Sequence, residues 1–200
     1  MFEKRRREMV ESLKSRGYLE SSEVIEAFTK VPRERFVSKN MKEDAYADNP
    51  LPIGKGQTIS APSMIAIMLE VLDIDRGDRV LEIGTGSGYN SALLSELVGP
   101  DGVVYSMERL DKIADMAREN LENSGYEEVE VIVGDGTKGY SQEAPWDRVL
   151  ITACAPEVPD PLIDQLGVGG RLAAPVGSHY MSQTLLLIKK MGVEETEIER

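Results

Sequence analysis

The sequence predicts an α/β fold, a doubly wound and mostly parallel sheet with a cap of helices at its N-terminus. Three observations carry that expectation. From Val80 onward, short apolar runs of strand length alternate with helical patterns, which is the signature of consecutive βαβ units. The first of those runs, Val80-Leu81-Glu82-Ile83, passes through Gly84-Thr85-Gly86-Ser87-Gly88 into a helical stretch, as a buried parallel strand does when it turns tightly into a helix N-terminus. Polar side chains then recur where the later runs end, at Glu108, Asp135 and Thr152. Right-handed crossovers put all strand carboxyl ends on one edge, so Glu82, the glycines, Glu108, Asp135 and Thr152 are expected around a single crevice.

Taken in order, the chain opens on a charged helix from Phe2 to Arg16, with Phe2, Met9, Val10 and Leu13 apolar and Gly17 as its stop. Ser21 or Ser22 is expected to cap a second helix, whose buried stripe is Val24, Ile25, Phe28 and Val31 and which Pro32 ends. From Tyr46 to Pro62, prolines and glycines rule out a helix and argue against a regular strand. This stretch reads as an irregular, ordered loop that buries Leu51, Ile53 and Ile59, and such loops usually carry function. Pro62 suits the first turn of a helix in which Met64, Ile65, Ile67, Met68, Leu69, Val71 and Leu72 run nearly all round, predicting cover on several sides.

After Asp75-Arg76-Gly77-Asp78 come the first strand and the glycine turn. The next helix carries Tyr89, Ala92, Leu93, Leu94 and Leu97, and Gly99-Pro100-Asp101-Gly102 breaks it. Val103 to Met107 is a second strand, followed by a helix with Leu110, Ile113, Ala114, Ala117 and Leu121 on one face. Val129 to Val133 and Trp146 to Thr152 are the third and fourth strands, Pro159 to Leu166 a short helix, and Gly170 to Val176 the fifth strand. A Gly177-Ser178 turn then suggests a hairpin to a sixth strand, Thr184 to Lys189.

A length of 200 residues suits one domain, divided into N-terminal helices (1–45), a loop (46–62) and an α/β core (63–200). Hydrophobic content of 41% and charged content of 29% fit a soluble globular chain. The apolar runs at Met64 to Leu69 and Leu185 to Ile188 are too short to cross a bilayer. Glu3-Lys4-Arg5-Arg6-Arg7-Glu8 offers no apolar segment of a secretory signal. A single Cys154 excludes an internal disulfide, and one Cys with one His argues against a zinc site. Cytoplasmic residence, no membrane and no metal are therefore expected. A net charge of −12 argues against a nucleic-acid surface. The basic clusters at Lys4 to Arg7 and at Arg33, Arg35 and Lys39 read as solvated helix faces or local ion-pair partners.

Spacing narrows the site. Gly84, Gly86 and Gly88 follow Gly-x-Gly-x-Gly, and Tyr89 stands where a dinucleotide fingerprint places its third glycine or alanine. Such a turn lets the backbone approach a polar ligand, and the first helical N–H groups are free to hold it. Glu108, about 20 residues beyond, can accept both hydroxyls of a ribose. Asp135 can accept from an adenine amino group, with a turn-forming Asp as the plainer reading. Glu82 followed by the three glycines resembles motif I of the class I S-adenosylmethionine methyltransferases, a Rossmann-like fold in which the acidic residue lies near the methionine moiety.

A second resemblance is more specific. Asp48-Asn49-Pro50-Leu51-Pro52-Ile53-Gly54, then Gly56-Gln57-Thr58-Ile59-Ser60-Ala61-Pro62, resembles the signature of the protein-L-isoaspartate O-methyltransferases. Glu82 to Gly88, Gly134-Asp135-Gly136, Ala155-Pro156 and Gly169-Gly170-Arg171-Leu172…Pro175-Val176-Gly177 are similar to the same family. The resemblance implies methyl transfer from S-adenosylmethionine to the α-carboxylate of L-isoaspartyl residues in damaged proteins and peptides. The ester then collapses to a succinimide that reopens partly to aspartate. A carboxylate with a pKa of roughly 4 is already ionised, so no general base is needed and the work is placement.

By that resemblance Ser60 is the catalytic candidate, donating its hydroxyl to the substrate carboxylate or positioning the attacking oxygen. Its rival role is the N-cap of the helix begun by Pro62. Thr58, Ile59, Ser60 and Ala61, together with Glu82, Gly84, Thr85, Gly86, Gly88, Glu108, Asp135 and Gly136, are implied at the cofactor. Leu51, Pro52, Ile53, Ile59, Thr152, Pro175 and Val176 are implied at the substrate. Isoaspartyl proteins and peptides would be the partners of a monomeric enzyme. Ser63 stands where many relatives have His, so any ring contact to the cofactor is lost. Cys154 stands where small residues are usual and reads as a core-edge filler. Relatives usually continue into a final strand with a Val-Pro-Leu-type segment near the cofactor, which a chain ending at Arg200 after Glu194-Glu195-Thr196-Glu197 is expected to lack. Three other readings stay open: an NAD-dependent dehydrogenase, opposed by the glycine spacing; a methyltransferase acting on RNA or a small metabolite, which leaves the Pro50 to Pro62 loop unexplained; and a cofactor-binding protein without catalysis.

Overall fold

The structure is a computed structural model describing residues 1–153, 155–177, 183–193 and 195–199. Helices α1 (Phe2–Ser15) and α2 (Ser22–Lys30) lead, by short 3-10 turns at Arg33–Arg35 and Lys39–Asp44, to strands β1 (Leu51–Gly54) and β2 (Gln57–Ile59). Helix α3 (Pro62–Leu72) follows, then β3 (Arg79–Ile83), α4 (Tyr89–Val98), β4 (Val103–Glu108), α5 (Asp111–Glu122) and β5 (Glu130–Val133). The chain closes with β6 (Trp146–Ile151), α6 (Asp160–Asp164), β7 (Leu166–Val176), β8 (Thr184–Lys190) and β9 (Thr196–Glu199).

The main sheet has the order β5-β4-β3-β6-β7-β8-β9. Its first five strands are mutually parallel, while β8 and β9 join antiparallel. The chain enters at β3, winds outward to β5, then crosses back to β6. The order therefore reverses between β3 and β6, and a crevice opens there beyond the strand carboxyl ends. Strands covered on both faces must be apolar at successive positions, and the core sorts accordingly. Val80, Leu150 and Ala173 pack into the cluster beneath α1 to α4, whereas Leu81, Val149, Ile151, Leu172 and Ala174 pack on the other face with Trp146 and Leu162. Trp146, to which the sequence assigns no role, is a core anchor 5.4 Å from the Tyr105 ring with Arg79 at 5.6 Å. At the β5 edge, the Arg118 guanidinium donates to the Val131 carbonyl at 2.7 Å.

Several expectations need correction. The stretch from Tyr46 to Pro62 contains an antiparallel hairpin, with Leu51 opposite Ile59 and Pro52 opposite Thr58. Lys55 (φ 51°) and Gly56 (φ 73°) turn it, and two left-handed residues match the twist of a tight hairpin. Ser21 precedes α2 but makes no side-chain cap. Instead Glu70 of α3 accepts the Glu20 and Ser21 N–H groups at 2.9 and 3.1 Å, so a distant carboxylate does the local work. Helix α3 is less enclosed than its composition suggests, since Met64 is 41% exposed. Strand β7 already begins at Leu166, paired with Trp146, and α6 is correspondingly short. A short strand that the sequence reading did not mark, β9, forms antiparallel to β8, without a Val-Pro-Leu-type segment. Cys154, Ser178 and His179 lie outside the described residues.

Candidate active site

The glycine turn hangs from β4. Gly84 and Thr85 donate to the Met107 carbonyl at 2.8 and 3.3 Å, and Gly86 donates to Glu108 Oε2 at 3.1 Å. Glu108 Oε1 accepts the Leu110 N–H at 3.1 Å. The carboxylate is thus a buried brace for the turn and for the start of α5, not a solvated strand end. Thr152, just past β6, donates to the Gly84 carbonyl at 2.7 Å. A Cβ on Gly84 would sit 2.5 Å from Thr152 Oγ1, with φ at +101°, so both sterics and backbone demand glycine there. Asn120 of α5 fixes the Ser87 carbonyl at 3.0 Å.

Glu82 lies behind this turn with no exposure. Its Oε2 accepts from Ser91 at 2.5 Å and Ser106 at 2.6 Å, while Oε1 has no partner. Burial pushes its carboxyl up to about 7, against the downward pull of the two hydroxyls. Asp135 is exposed and caps the short turn after it, accepting from Thr137 N and Oγ1 at 3.1 and 2.7 Å, bonds that hold its carboxyl below the usual range. The turn is drawn against β3, since a Cβ on Gly136 would meet Ile83 Cγ2 at 2.5 Å.

The hairpin closes over the turn. Leu51, Ile53 and Ile59 are buried beneath it and Pro52 is exposed, so the apolar residues serve mainly as its hydrophobic underside. Helix α3 is preceded by Ala61, which makes no side-chain cap. The Ser63 N–H is taken by Asp48 Oδ1 at 2.9 Å, whose other oxygen pairs with Arg16 at 2.7 Å. Asp48 thereby fills the capping role open to Ser60. A cavity of about 80 Å³ between hairpin and turn is lined by Thr58, Ile59, Ser60, Gly84, Thr85, Gly86, Glu108 and Thr152. Ala61, Glu82, Gly88, Asp135, Gly136, Leu51, Pro52, Ile53, Pro175 and Val176 are not among its walls. Pro175 and Val176 end β7, where Val176 bridges Ala155.

Three lining residues, Ser87, Tyr89 and Asn90, carry buried polar atoms without a partner: Ser87 Oγ, Tyr89 OH and Asn90 Oδ1. The sequence reading treats Tyr89 as a core position and passes over the other two. Their place in the turn and the first turn of a helix, where N–H groups face a ligand, was the available signal. A larger cavity of about 610 Å³ lies between α2, α4 and the starts of β4 and β5. Size would choose it, but its polar groups satisfy one another: Lys30 pairs with Glu96 at 2.6 Å, and Tyr126 donates to Glu96 at 2.8 Å. The chemistry favours the smaller one. Among the described residues no three His, Cys, Asp or Glu side chains are grouped to hold a metal, and no helix is long and apolar enough to cross a membrane.

The family model described as Protein-L-isoaspartate(D-aspartate) O-methyltransferase matches residues 4–200. The chain belongs to this family. A protein-L-isoaspartate O-methyltransferase of Methanopyrus kandleri is 53% identical over all of this chain and 88% of its own. One from Methanoculleus marisnigri is 54% identical over 96% of this chain and 86% of its own. A solved protein-L-isoaspartate O-methyltransferase superposes with a TM-score of 0.84 at 37% identity, covering 92% of this chain and three fifths (60%) of that longer one. A Plasmodium falciparum structure titled a putative member, in complex with S-adenosyl-L-homocysteine, gives 0.83 at 26% identity over 96% and 93% of the two chains.

Membership implies S-adenosylmethionine as cofactor, and the residues present fit it. The unpartnered hydroxyls of Ser87 and Tyr89 and the amide oxygen of Asn90 await polar groups. Glu108, although bonded through both oxygens, retains lone pairs for further donors.

Proposed function

We propose that this chain repairs damaged proteins by methylating the α-carboxylate of L-isoaspartyl residues with S-adenosylmethionine. One observation carries the reading beyond family membership: Ser60 of the proline-rich hairpin and Gly86 and Glu108 of the glycine turn face one cavity. When bound, S-adenosylmethionine supplies an electrophilic methyl group on a sulfonium.

The chain's own part is placement. Glu108 receives the ribose hydroxyls, and the backbone around Gly84 to Gly86, with Ser87 and Asn90, holds the polar remainder. Asp135, at the neighbouring turn, faces the adenine amino group. Thr58 and Ile59 wall off water, and the Ser60 hydroxyl donates to the acceptor carboxylate, fixing the attacking oxygen. No residue need take a proton, because the acceptor is already an anion. Residues 1–45 act as a cap, 46–62 as the substrate hairpin and 63–200 as the cofactor core of one cytoplasmic, monomeric domain. The net charge of −12 favours peptide over nucleic acid as substrate.

Ser60→Ala is expected to keep its melting temperature and its affinity for S-adenosylhomocysteine. It should lose about 10- to 100-fold in kcat on an isoaspartyl peptide, the range of one positioning contact, with no transfer to the aspartyl twin. Wild-type turnover by that variant removes Ser60 from the mechanism; transfer to both peptides, or to neither, removes the isoaspartyl assignment.

A further inference from the structure

Among the described residues Arg33 is a buried cation with no carboxylate in ion-pair contact; Asp48 acts on it only from further off. Its side chain has no exposure, Nε donates to the Ala45 carbonyl and Nη2 to the Ser60 carbonyl, both at 2.8 Å, and Nη1 has no partner. The guanidinium carbon lies 5.0 Å from the centroid of the Tyr89 ring, whose hydroxyl is also buried and unpartnered. Burial pulls the guanidinium down to about 10, which leaves it charged at neutral pH.

A charge in that position is unfavourable for stability, and an apolar side chain of similar volume would pack there without it. What it achieves is a junction. The 3-10 turn that carries Arg33, the chain entering the hairpin at Ala45, the hairpin's exit at Ser60 and the first residue of α4 meet on one planar group. Two carbonyl acceptors on different nitrogens, with the guanidinium over the Tyr89 ring, hold that group as a lysine ammonium would not be held.

We propose that Arg33 is a positioning residue for methyl transfer: by holding the Ser60 carbonyl beside the Tyr89 ring, it sets where the Ser60 hydroxyl stands over the glycine turn. The inference rests on the role of Ser60 given above. Arg33 touches neither substrate nor cofactor; it acts through the hairpin backbone.

The test is a double-mutant cycle on the full chain, reading kcat and KM on an isoaspartyl peptide, calorimetric affinity for S-adenosylhomocysteine, and melting temperature. Arg33→Lys keeps a cation but loses the planar fork, and is expected to bind S-adenosylhomocysteine within about threefold of wild type while kcat falls about tenfold or more and KM changes little. In a Ser60→Ala background the same substitution should cost less than about twofold, because the residue it acts through is gone. Arg33→Gln, with no charge to desolvate, is read in the same way should the lysine variant not fold. An equal fold-loss of kcat in both backgrounds overturns the proposal, as does a loss confined to melting temperature or cofactor affinity, or a kcat within about twofold of wild type. A Ser60→Ala enzyme that is itself as fast as wild type overturns the Ser60 assignment and this inference together; additivity with a slow Ser60→Ala overturns only the latter.

Discussion

The two edges of the main sheet treat their buried polar groups differently. At the carboxyl edge they are left short of partners. Of the eight buried side-chain polar atoms without one among the described residues, five belong to Arg33, Glu82, Ser87, Tyr89 and Asn90, all around the glycine turn. At the amino edge Trp146 Nε1 and Ser124 Oγ also lack partners, but the buried arginine there is fully engaged. Arg148 of β6 donates to the Leu72 and Asp73 carbonyls at 2.6–2.9 Å and pairs with Asp75 and Asp78 at 3.3 and 3.4 Å. Both edges bury an arginine; among the described residues one is ion-paired and the other makes no direct ion pair. Unsatisfied polar groups are rare in folded interiors, and three of these five, on Ser87, Tyr89 and Asn90, line the cavity, so the imbalance marks the edge where a ligand is held.

Perturbing the paired arginine of the amino edge should give the largest effect on stability and none on chemistry. Arg148→Met strands Asp78, whose carboxyl burial already pushes up, and is expected to lose about 3–5 kcal/mol in denaturant unfolding. Its kcat per folded molecule should be that of wild type; a slower enzyme would mean that the edges are coupled.

At the other edge Glu82 offers a pH test. Its folded pKa of about 7 lies above its ordinary 4.5, so the folded protein keeps a proton that the unfolded chain gives up. Stability should then fall as pH rises from the lower value through the upper one, by about 3 kcal/mol in all. Glu82→Gln should flatten that slope, leaving the variant the more stable above neutrality. Wild-type melting temperatures that stay level between about pH 5 and 8 would contradict this.

The smallest effect sharpens the contrast within the amino edge. Lys30 and Glu96 form a pair whose lysine is 62% exposed, and Lys30→Ala should cost under about 0.5 kcal/mol by thermal melting. A cost several times larger would show that the larger cavity is more than a solvated hollow.

Sequence made the layered core legible because burial on both faces of a parallel strand leaves apolar runs that little else produces. The spacing of Gly84, Gly86 and Gly88 located the crevice for the same kind of reason, a backbone demand that few residues meet. Three strands escaped notice. In β1 and β2, Pro50, Pro52, Gly54 and Gly56 read as interruptions, although the prolines sit where a two-stranded ribbon needs no donor and the Lys55-Gly56 pair makes its turn. In β9, Thr196-Glu197-Ile198-Glu199 is exposed at every position, so no burial pattern existed to be read. Caps were equally opaque. Asp48 and Glu70 serve helices distant in sequence, and local rules point instead to Ser60 and Ser21. Arg33 read as one more surface cation because a run of arginines gives no hint of which one turns inward.

The Arg118 guanidinium on Val131 has a bearing on the clients such an enzyme meets. Worn and partly unraveled chains expose extended segments that add readily to any open strand. A peptide adding alongside β5 must first evict that guanidinium, and the strand is only four residues long, which offers little foothold. Sticky material can thus be handled at the crevice without being stitched to the sheet along β5.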